Sequence, residues 1–491
     1  MKKMSLFLLS LFLLPVATLF AGCQGQEEQL SAYQIQLSYD ATSHTAQGSV
    51  TVEYVNNSNN ALQELMFHLY PNAFSEEGDG LVCSASNESK TYPNGKSFGG
   101  IEIFDVQIQA EQAGFELQGE ANMLLKVELP APLYPDEKTS VAIEFSLTLP
   151  NANHRFGYGE NTVNFGNFYP IACVYRDGSG FATDPYTSNG DPFFSDCANY
   201  IVSITYGSDY KIACSGDSVS TSQNGDQLTT TITAGKVRDF AFVLSDKFQV
   251  LSSKADGAVV EYYYYSDTDP QGSLDTAVKA IETYGDLFGS YPYSSFAVVE
   301  TNFVHGGMEY PRLVMISDQV QGEDYDYVIA HETAHQWWYG VVGNDEFNES
   351  WLDESLTEFS TALFFENHPE YNLSYDQIVS GAYSNYNFFL KIYKKIVGEV
   401  DTSMLRSLNE FDTEPEYVNN IYTRGIIMLA SLRDQIGDRK FFSSLSTYFK
   451  EFSFKNATTP DIIAVFEKKC GHKMEGIFNS WLNGEVAFVA Q

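Results

Sequence analysis

The stretch Val328-Ile329-Ala330-His331-Glu332-Thr333-Ala334-His335-Gln336-Trp337-Trp338, with Trp351-Leu352-Asp353-Glu354 downstream, decides how this chain is read. Residues four apart share one face of a helix, so His331 and His335 present adjacent imidazoles, the arrangement a metal ion needs. Glu332 follows the first His directly and can reach the side of that metal where water binds. The apolar residues on either side keep the helix partly buried. Two imidazoles leave the ion short of a third protein donor. Eighteen residues separate His335 from Glu354, which opens the next helical pattern. A helix, a turn and an antiparallel return bring that carboxylate to the metal, completing His₂Glu with an open fourth position, as in catalytic rather than structural sites. Glu358 lies one turn further along the same face. It is either an acceptor for a ligand His N–H or a solvated surface acid.

Outward from this segment the pattern predicts helices over 324–340, 351–367, 422–436 and 474–482. A further helix carries Leu274, Val278, Ile281 and Tyr284 on one face and stops at Gly289. Runs at 259–264 and 295–300 read as strands. Upstream of about residue 252 the period changes to two: Tyr33-Ile35-Leu37-Tyr39, Val50-Val52-Tyr54 and Val141-Ile143-Phe145-Leu147 each alternate with polar neighbours. Asn-, Gly- and Pro-rich segments separate these runs, and the last is expected at 238–244. The reading is an N-terminal β domain over 33–251 followed by a mostly helical domain with a small sheet over 252–491, without internal repeats.

Lys2 and Lys3 precede an apolar run from Leu6 to Phe20, and Ala21-Gly22-Cys23 follows. That order describes a secretory signal, and Pro15 interrupts a run already short for a membrane span. Cys after Ala-Gly resembles the bacterial lipobox, with Phe20 where Leu is usual. The resemblance implies a signal peptide over 1–22, lipid on Cys23, a polar tether over 23–32, and a protein held on the extracytoplasmic face of a bacterial membrane; plain secretion is the alternative. The other cysteines, Cys83, Cys173, Cys197, Cys214 and Cys470, form no CxxC or CxxH pair that would hold zinc. Export permits a disulfide among them, and buried inert thiols are the other reading.

Twenty-eight Lys+Arg against 64 Asp+Glu give a net charge of −36, and removing residues 1–22 takes away Lys2 and Lys3 and no acid, leaving −38. Such a field repels nucleic acid and anionic headgroups, which excludes nucleic acid as a partner and leaves the lipid to hold the membrane.

HExxH, eighteen residues and Glu resembles the gluzincin metallopeptidases. Within them the chain is similar to the M1 family (alanyl aminopeptidase and leukotriene A4 hydrolase-like), because Gly306-Gly307-Met308-Glu309-Tyr310 resembles that family's Gly-x-Met-Glu-Asn strand, with Tyr310 in place of Asn. Tyr422-Thr423-Arg424-Gly425 is similar to its Tyr-x-Lys-Gly at a helix start. The resemblance implies an α+β multidomain fold, an antiparallel β saddle or sandwich followed by a thermolysin-like catalytic domain. It implies one Zn²⁺ per chain on His331, His335 and Glu354, and removal of N-terminal residues from peptides by a water that the zinc activates. Glu332 is then the general base, Tyr422 the oxyanion donor, and Glu309 the anchor of the free α-amino group within a substrate-binding run, Gly306 to Glu309. Asn167, in a segment that falls at the family's cleft, is a cleft residue or a structural turn. Two alternatives stand beside this activity: an epoxide hydrolase-like enzyme on the same scaffold, and a ligand-binding surface lipoprotein with a vestigial zinc site. Preferred N-terminal residue and oligomeric state stay open.

Overall fold

The computed structural model describes residues 29–486. The expected signal peptide and Cys23 lie outside the described residues, as does most of the tether. Period-two sequence becomes half-buried strand throughout the first part. Ala198–Gly207 alternates buried and half-buried residues along its whole length, and Lys138–Thr148 does nearly the same. These strands belong to an eight-stranded sheet, beside two four-stranded sheets built from 62–68, 115–133 and 171–172, and from 156–165, 211–214 and 242–245. Among the described strands of this domain one pair is parallel: Ser31–Asp40 runs parallel to Ala198–Gly207, with Tyr33 opposite Tyr200. The intervening chain supplies the long crossover that a parallel pair requires.

The run expected as a strand at 238–244 is strand only over Phe242–Ser245. Arg238 and Asp239 are instead turned into buried polar contacts. Arg238 donates to Ser195 O at 2.9 Å and Asn456 Oδ1 at 2.7 Å, and Asp239 accepts from Tyr169 and Asn167. The next strand, Gln249–Ala255, already pairs into the second sheet, so the sheets change just upstream of the expected 251/252 boundary.

That second sheet has the order 249–255, 258–264, 295–301, 313–317, 307–308. Its central strands are parallel, and the two-residue edge strand Gly307–Met308 turns back antiparallel against Met315 and Ile316. The helix Pro270–Phe288 packs beside Glu323–Ala334, and the latter against Trp351–Asn367. One apolar core runs continuously through both parts of the chain. The junction between them is also polar and buried: Thr162 Oγ1 meets Thr301 Oγ1 at 2.7 Å, and Tyr310 donates to Asn167 Oδ1 at 2.6 Å.

Candidate active site

The helix with the two His spans Glu323–Ala334, with His335 as its last turn's cap, and does not continue to Gly340 as the sequence pattern suggested. Backbone N–H groups of Gly340, Val341 and Val342 fold back onto the carbonyls of His335, Gln336 and Trp337 at 2.8, 3.1 and 3.0 Å. Tyr339, within that fold-back, takes φ 130°, a region L-residues rarely adopt. The turn releases Trp338's carbonyl, which lies 3.1 Å from His335 Nδ1. A carbonyl only accepts, so Nδ1 carries the proton and the Nε2 lone pair of the neutral ring is free. His331 Nδ1 faces Glu358 Oε2 at 3.0 Å, with the same result. Glu358 is itself held by the Tyr327 hydroxyl at 2.6 Å. Both rings therefore turn their Nε2 atoms to one point, and Glu354 stands there.

The return helix Trp351–Asn367 brings Glu354 Oε2 to 3.6 Å from His331 Nε2 and 3.3 Å from His335 Nε2. One donor atom from each of His331, His335 and Glu354 lies within 4.8 Å of the others. Glu354 Oε2 is buried and has no hydrogen-bond partner. A buried carboxylate oxygen between two Nε2 atoms calls for positive charge there, as protons on the rings or as a cation that displaces them, so these residues fit a metal. Two imidazoles, each backed by an outer acceptor, and one carboxylate suit Zn²⁺.

Glu332 and Glu309 complete the cluster. One oxygen of each lies within 4.8 Å of the other and of a His335 ring nitrogen. Glu332 Oε2 and Glu309 Oε1 are buried without partners. Gly307, on the edge strand, sits so close over the Glu332 carboxylate that a Cβ there would overlap it, which fixes both the need for glycine and the position of the acid. The strand is tied down from the other side. Gln336, just past the second His, accepts from Arg312 N at 2.7 Å and donates to Tyr310 O at 3.2 Å, clamping the segment that carries Glu309. Gly306 takes part through its carbonyl, which accepts from Ser317 N at 2.9 Å. Met308 is wholly buried in the apolar core, so its side chain is a packing group of the edge strand.

Tyr422 lies beside the cluster, its ring stacked on His331 at 5.9 Å and 14°. It does not begin a helix. Residues Asn419–Thr423 form a π-helical turn between Glu414–Val418 and Arg424–Ile436, so the chain is helical on both sides of it. Such turns shift a side chain out of the regular helical rows and are frequent at functional sites.

The electrostatics follow from burying acids around two rings. Burial pushes the Glu332 carboxyl up to about 7 in spite of the neighbouring imidazoles. Burial, then Asp191, pushes Glu309 well above the usual carboxylate range. For Glu354 burial acts upward as well, but the imidazoles of His331 and His335 outweigh it and bring the carboxyl to about 2. Burial opposes charge on His331, yet Glu354 and Glu358 raise it to about 10. The metal-free site thus holds on its rings the protons that a cation would displace. Burial and Glu354 push the Tyr422 phenol well above its usual value, which keeps it a donor.

Several residues escaped the sequence reading. Thr357 Oγ1 lies 3.1 Å from His335 Nδ1, and its only advance signal is its place beside Glu358, three positions after Glu354. Asp191 pairs with Arg155 and brings an oxygen within 4.8 Å of Glu309 and Glu354. Glu346 and Asp353 extend the acids beyond Glu309. Nothing local in sequence marks Asp191 or Glu346. Asn167 lies in the domain junction, donating to Asp239 Oδ2 at 2.6 Å and accepting from Tyr310. The Tyr that replaces the family's Asn therefore reaches across to the β domain.

The donor set gives a candidate metal centre of two His and one Glu. Comparison with known proteins adds a family likeness: residues 272–481 match the Peptidase family M1 domain. Among curated relatives the chain is similar to Aminopeptidase M1-B of Oryza sativa subsp. japonica, 26% identical over 245 residues, 47% of this chain and 27% of the relative. It is equally similar to Aminopeptidase N of Lactococcus lactis subsp. cremoris, 26% over 229 residues, 43% and 26% of the two chains. The chain thus matches about a quarter of the length of these relatives. Among solved structures it is similar to the M1 zinc metallopeptidase from Deinococcus radiodurans, with TM-score 0.67 and 16% identity over 94% of this chain and 95% of that one. At that identity the likeness is one of fold, and it covers both domains.

Proposed function

We propose that this protein is a zinc-dependent aminopeptidase that removes single residues from the N-terminus of peptides. The observation that carries the reading is Glu309: a buried carboxylate with an unpartnered oxygen, next to the donor His335 and the base Glu332, on a strand clamped to the metal-binding helix. A fixed anion so near the reacting bond pairs with a terminal ammonium and leaves no path for an internal segment. His331, His335 and Glu354 would hold zinc, which supplies Lewis-acid polarisation of the scissile carbonyl and a more acidic water. Glu332 accepts the proton of the attacking water and returns it to the leaving amine. The Tyr422 hydroxyl donates to the oxygen on which negative charge develops. An M1 metallopeptidase mutant of two domains has been solved with L-arginine and the Deinococcus mutant with a Tyr-ser-ala substrate, ligands of the size this reading requires.

Glu309→Gln is expected to lower kcat/KM on free-amine peptides by about a hundredfold, the loss of a buried charge-assisted contact of roughly 3 kcal/mol. The same change should cost far less on Nα-acetylated peptides, whatever their slow basal rate. Equal losses on the two series would refute the anchor. The assembled donors, each ring held through Nδ1, support an active site over a vestigial one, and the Glu309 carboxylate favours peptides over epoxides.

We also propose that the chain is exported and anchored by lipid on Cys23, a reading supported by Lys2, Lys3, the apolar run to Phe20 and Ala21-Gly22-Cys23. In a bacterial host, Cys23→Ser should move the protein from the membrane pellet to the soluble extract. An unchanged partition would overturn the anchor.

A further inference from the structure

A cavity of about 1390 Å³ opens between the two domains, and none of the metal donors lines it. One wall is the second half of the long helix Tyr375–Val397. Phe388, Ile392 and Ile396 recur every four residues there and share a face. Phe388 is 67% exposed and Ile396 73%, an unusual exposure for large apolar side chains in a row. The opposite wall comes from the β domain and includes Tyr186. The walls are bolted together, for Asn189 Nδ2 donates to Phe411 O at 2.9 Å and Asn87 Nδ2 to Glu414 Oε2 at 3.2 Å.

Two features connect this groove with the site. Thr423, in its wall, directly follows Tyr422. Tyr186, also in the wall, has a buried hydroxyl without a partner, and its nearest charges are Arg155 and Asp191. Asp191 in turn lies with Glu309 and Glu354. The volume exceeds the roughly 300–1,000 Å³ of ordinary small-molecule pockets. A groove of that size, apolar on one side and lined by Thr423 and Tyr186 next to the site's own neighbours, has room for the rest of a peptide whose N-terminus is fixed at Glu309.

We propose that this groove is a distal peptide subsite: apolar side chains several residues downstream of the bond cut pack on Phe388, Ile392 and Ile396. The enzyme then favours long peptides with apolar segments over single aminoacyl compounds. This rests on the aminopeptidase reading for its catalytic consequence, but the binding it predicts is measurable separately. The full chain carrying Phe388→Asp and Ile396→Asp should cleave an aminoacyl-anilide within about twofold of the parent rate. On an apolar decapeptide with a free N-terminus, its KM should rise tenfold or more. Because both side chains are exposed, the melting temperature should be unchanged, and Phe388→Ser with Ile396→Ser should reproduce the split without added charge. Binding of a C-terminally fluorescein-labelled decapeptide to Glu332→Gln protein, read by anisotropy, supplies the arm that needs no turnover, and it should weaken tenfold or more with the same substitutions. The proposal is overturned if peptide affinity is unaltered, or if the anilide and decapeptide lose rate equally. It is overturned too if sedimentation shows that the substitutions dissolve a dimer while peptide affinity stays the same. If the parent protein cleaves neither substrate but the labelled peptide binds and the substitutions weaken it, the catalytic reading fails and the groove stands.

Discussion

Replacing Glu332 by Gln is expected to lower kcat on an aminoacyl-anilide by about a thousandfold, while zinc stays bound at one ion per chain. Gln keeps the shape and volume of Glu and removes only the proton acceptor. General acid–base groups contribute roughly 10²–10⁴ in rate. Glu332 stands outside the His331, His335 and Glu354 donor group, so its loss leaves the metal's own ligands in place. Its environment suits it to proton transfer, because burial has pushed the carboxyl up to about 7, where it can both take and return a proton near neutral pH. Gly307 fits closely over the carboxylate, so the substituted amide occupies the same space. Kinetics and metal analysis on one preparation check this. A rate within tenfold of the parent would remove Glu332 from the reaction, and loss of zinc would make it a ligand instead.

Glu354→Ala should have a second large effect, on metal binding before catalysis. The parent carboxylate oxygen stands 3.3 and 3.6 Å from the two Nε2 atoms, and without it the ion keeps two protein donors. Zinc content after dialysis is expected to fall below about a tenth of an ion per chain. The parent should melt several degrees lower once chelated, since an ion present at about a thousandfold over its dissociation constant stabilises by roughly 4 kcal/mol. The variant should be indifferent to added zinc and to chelator alike. A full complement of zinc in Glu354→Ala would place the third donor elsewhere in the acidic cluster, for which Glu309 and Asp191 are at hand.

Much of this centre was legible because its logic is local. The four-residue spacing of His331 and His335 puts two rings on one helical face, and the return helix begins where the sequence placed it, at Trp351. The same periodicity placed Glu358 on that face but left it between an acceptor and a surface acid, and the structure shows it on His331 Nδ1. What escaped depends on distant chain. The helix stops at His335 because residues 340–342 fold back on it, a turn no period announces. The π turn around Tyr422 arises within a helix that the pattern began too late. Asp191 reaches Glu309 and Glu354 from the β domain, and Tyr310 reaches Asn167 there, so neither contact has a signature in its own neighbourhood. Alternation marked the strands well, but it could not tell that Ser31–Asp40 would lie parallel to a strand more than 150 residues away.

The net charge of −36 takes on a local meaning in this structure. Acids from three separated segments, Asp191, Glu309 and Glu354, meet at one buried place. The donor group suits a cation, and the proposed anchor Glu309 would add an ammonium beside it.

The central claim is tested most directly by mass spectrometry of one peptide in two forms, free and Nα-acetylated, incubated with purified zinc-loaded protein before and after chelation. The account predicts loss of single residues from the free N-terminus alone, and none once zinc is removed. Internal cleavage, comparable cleavage of the acetylated form, or cleavage that persists after chelation would contradict it.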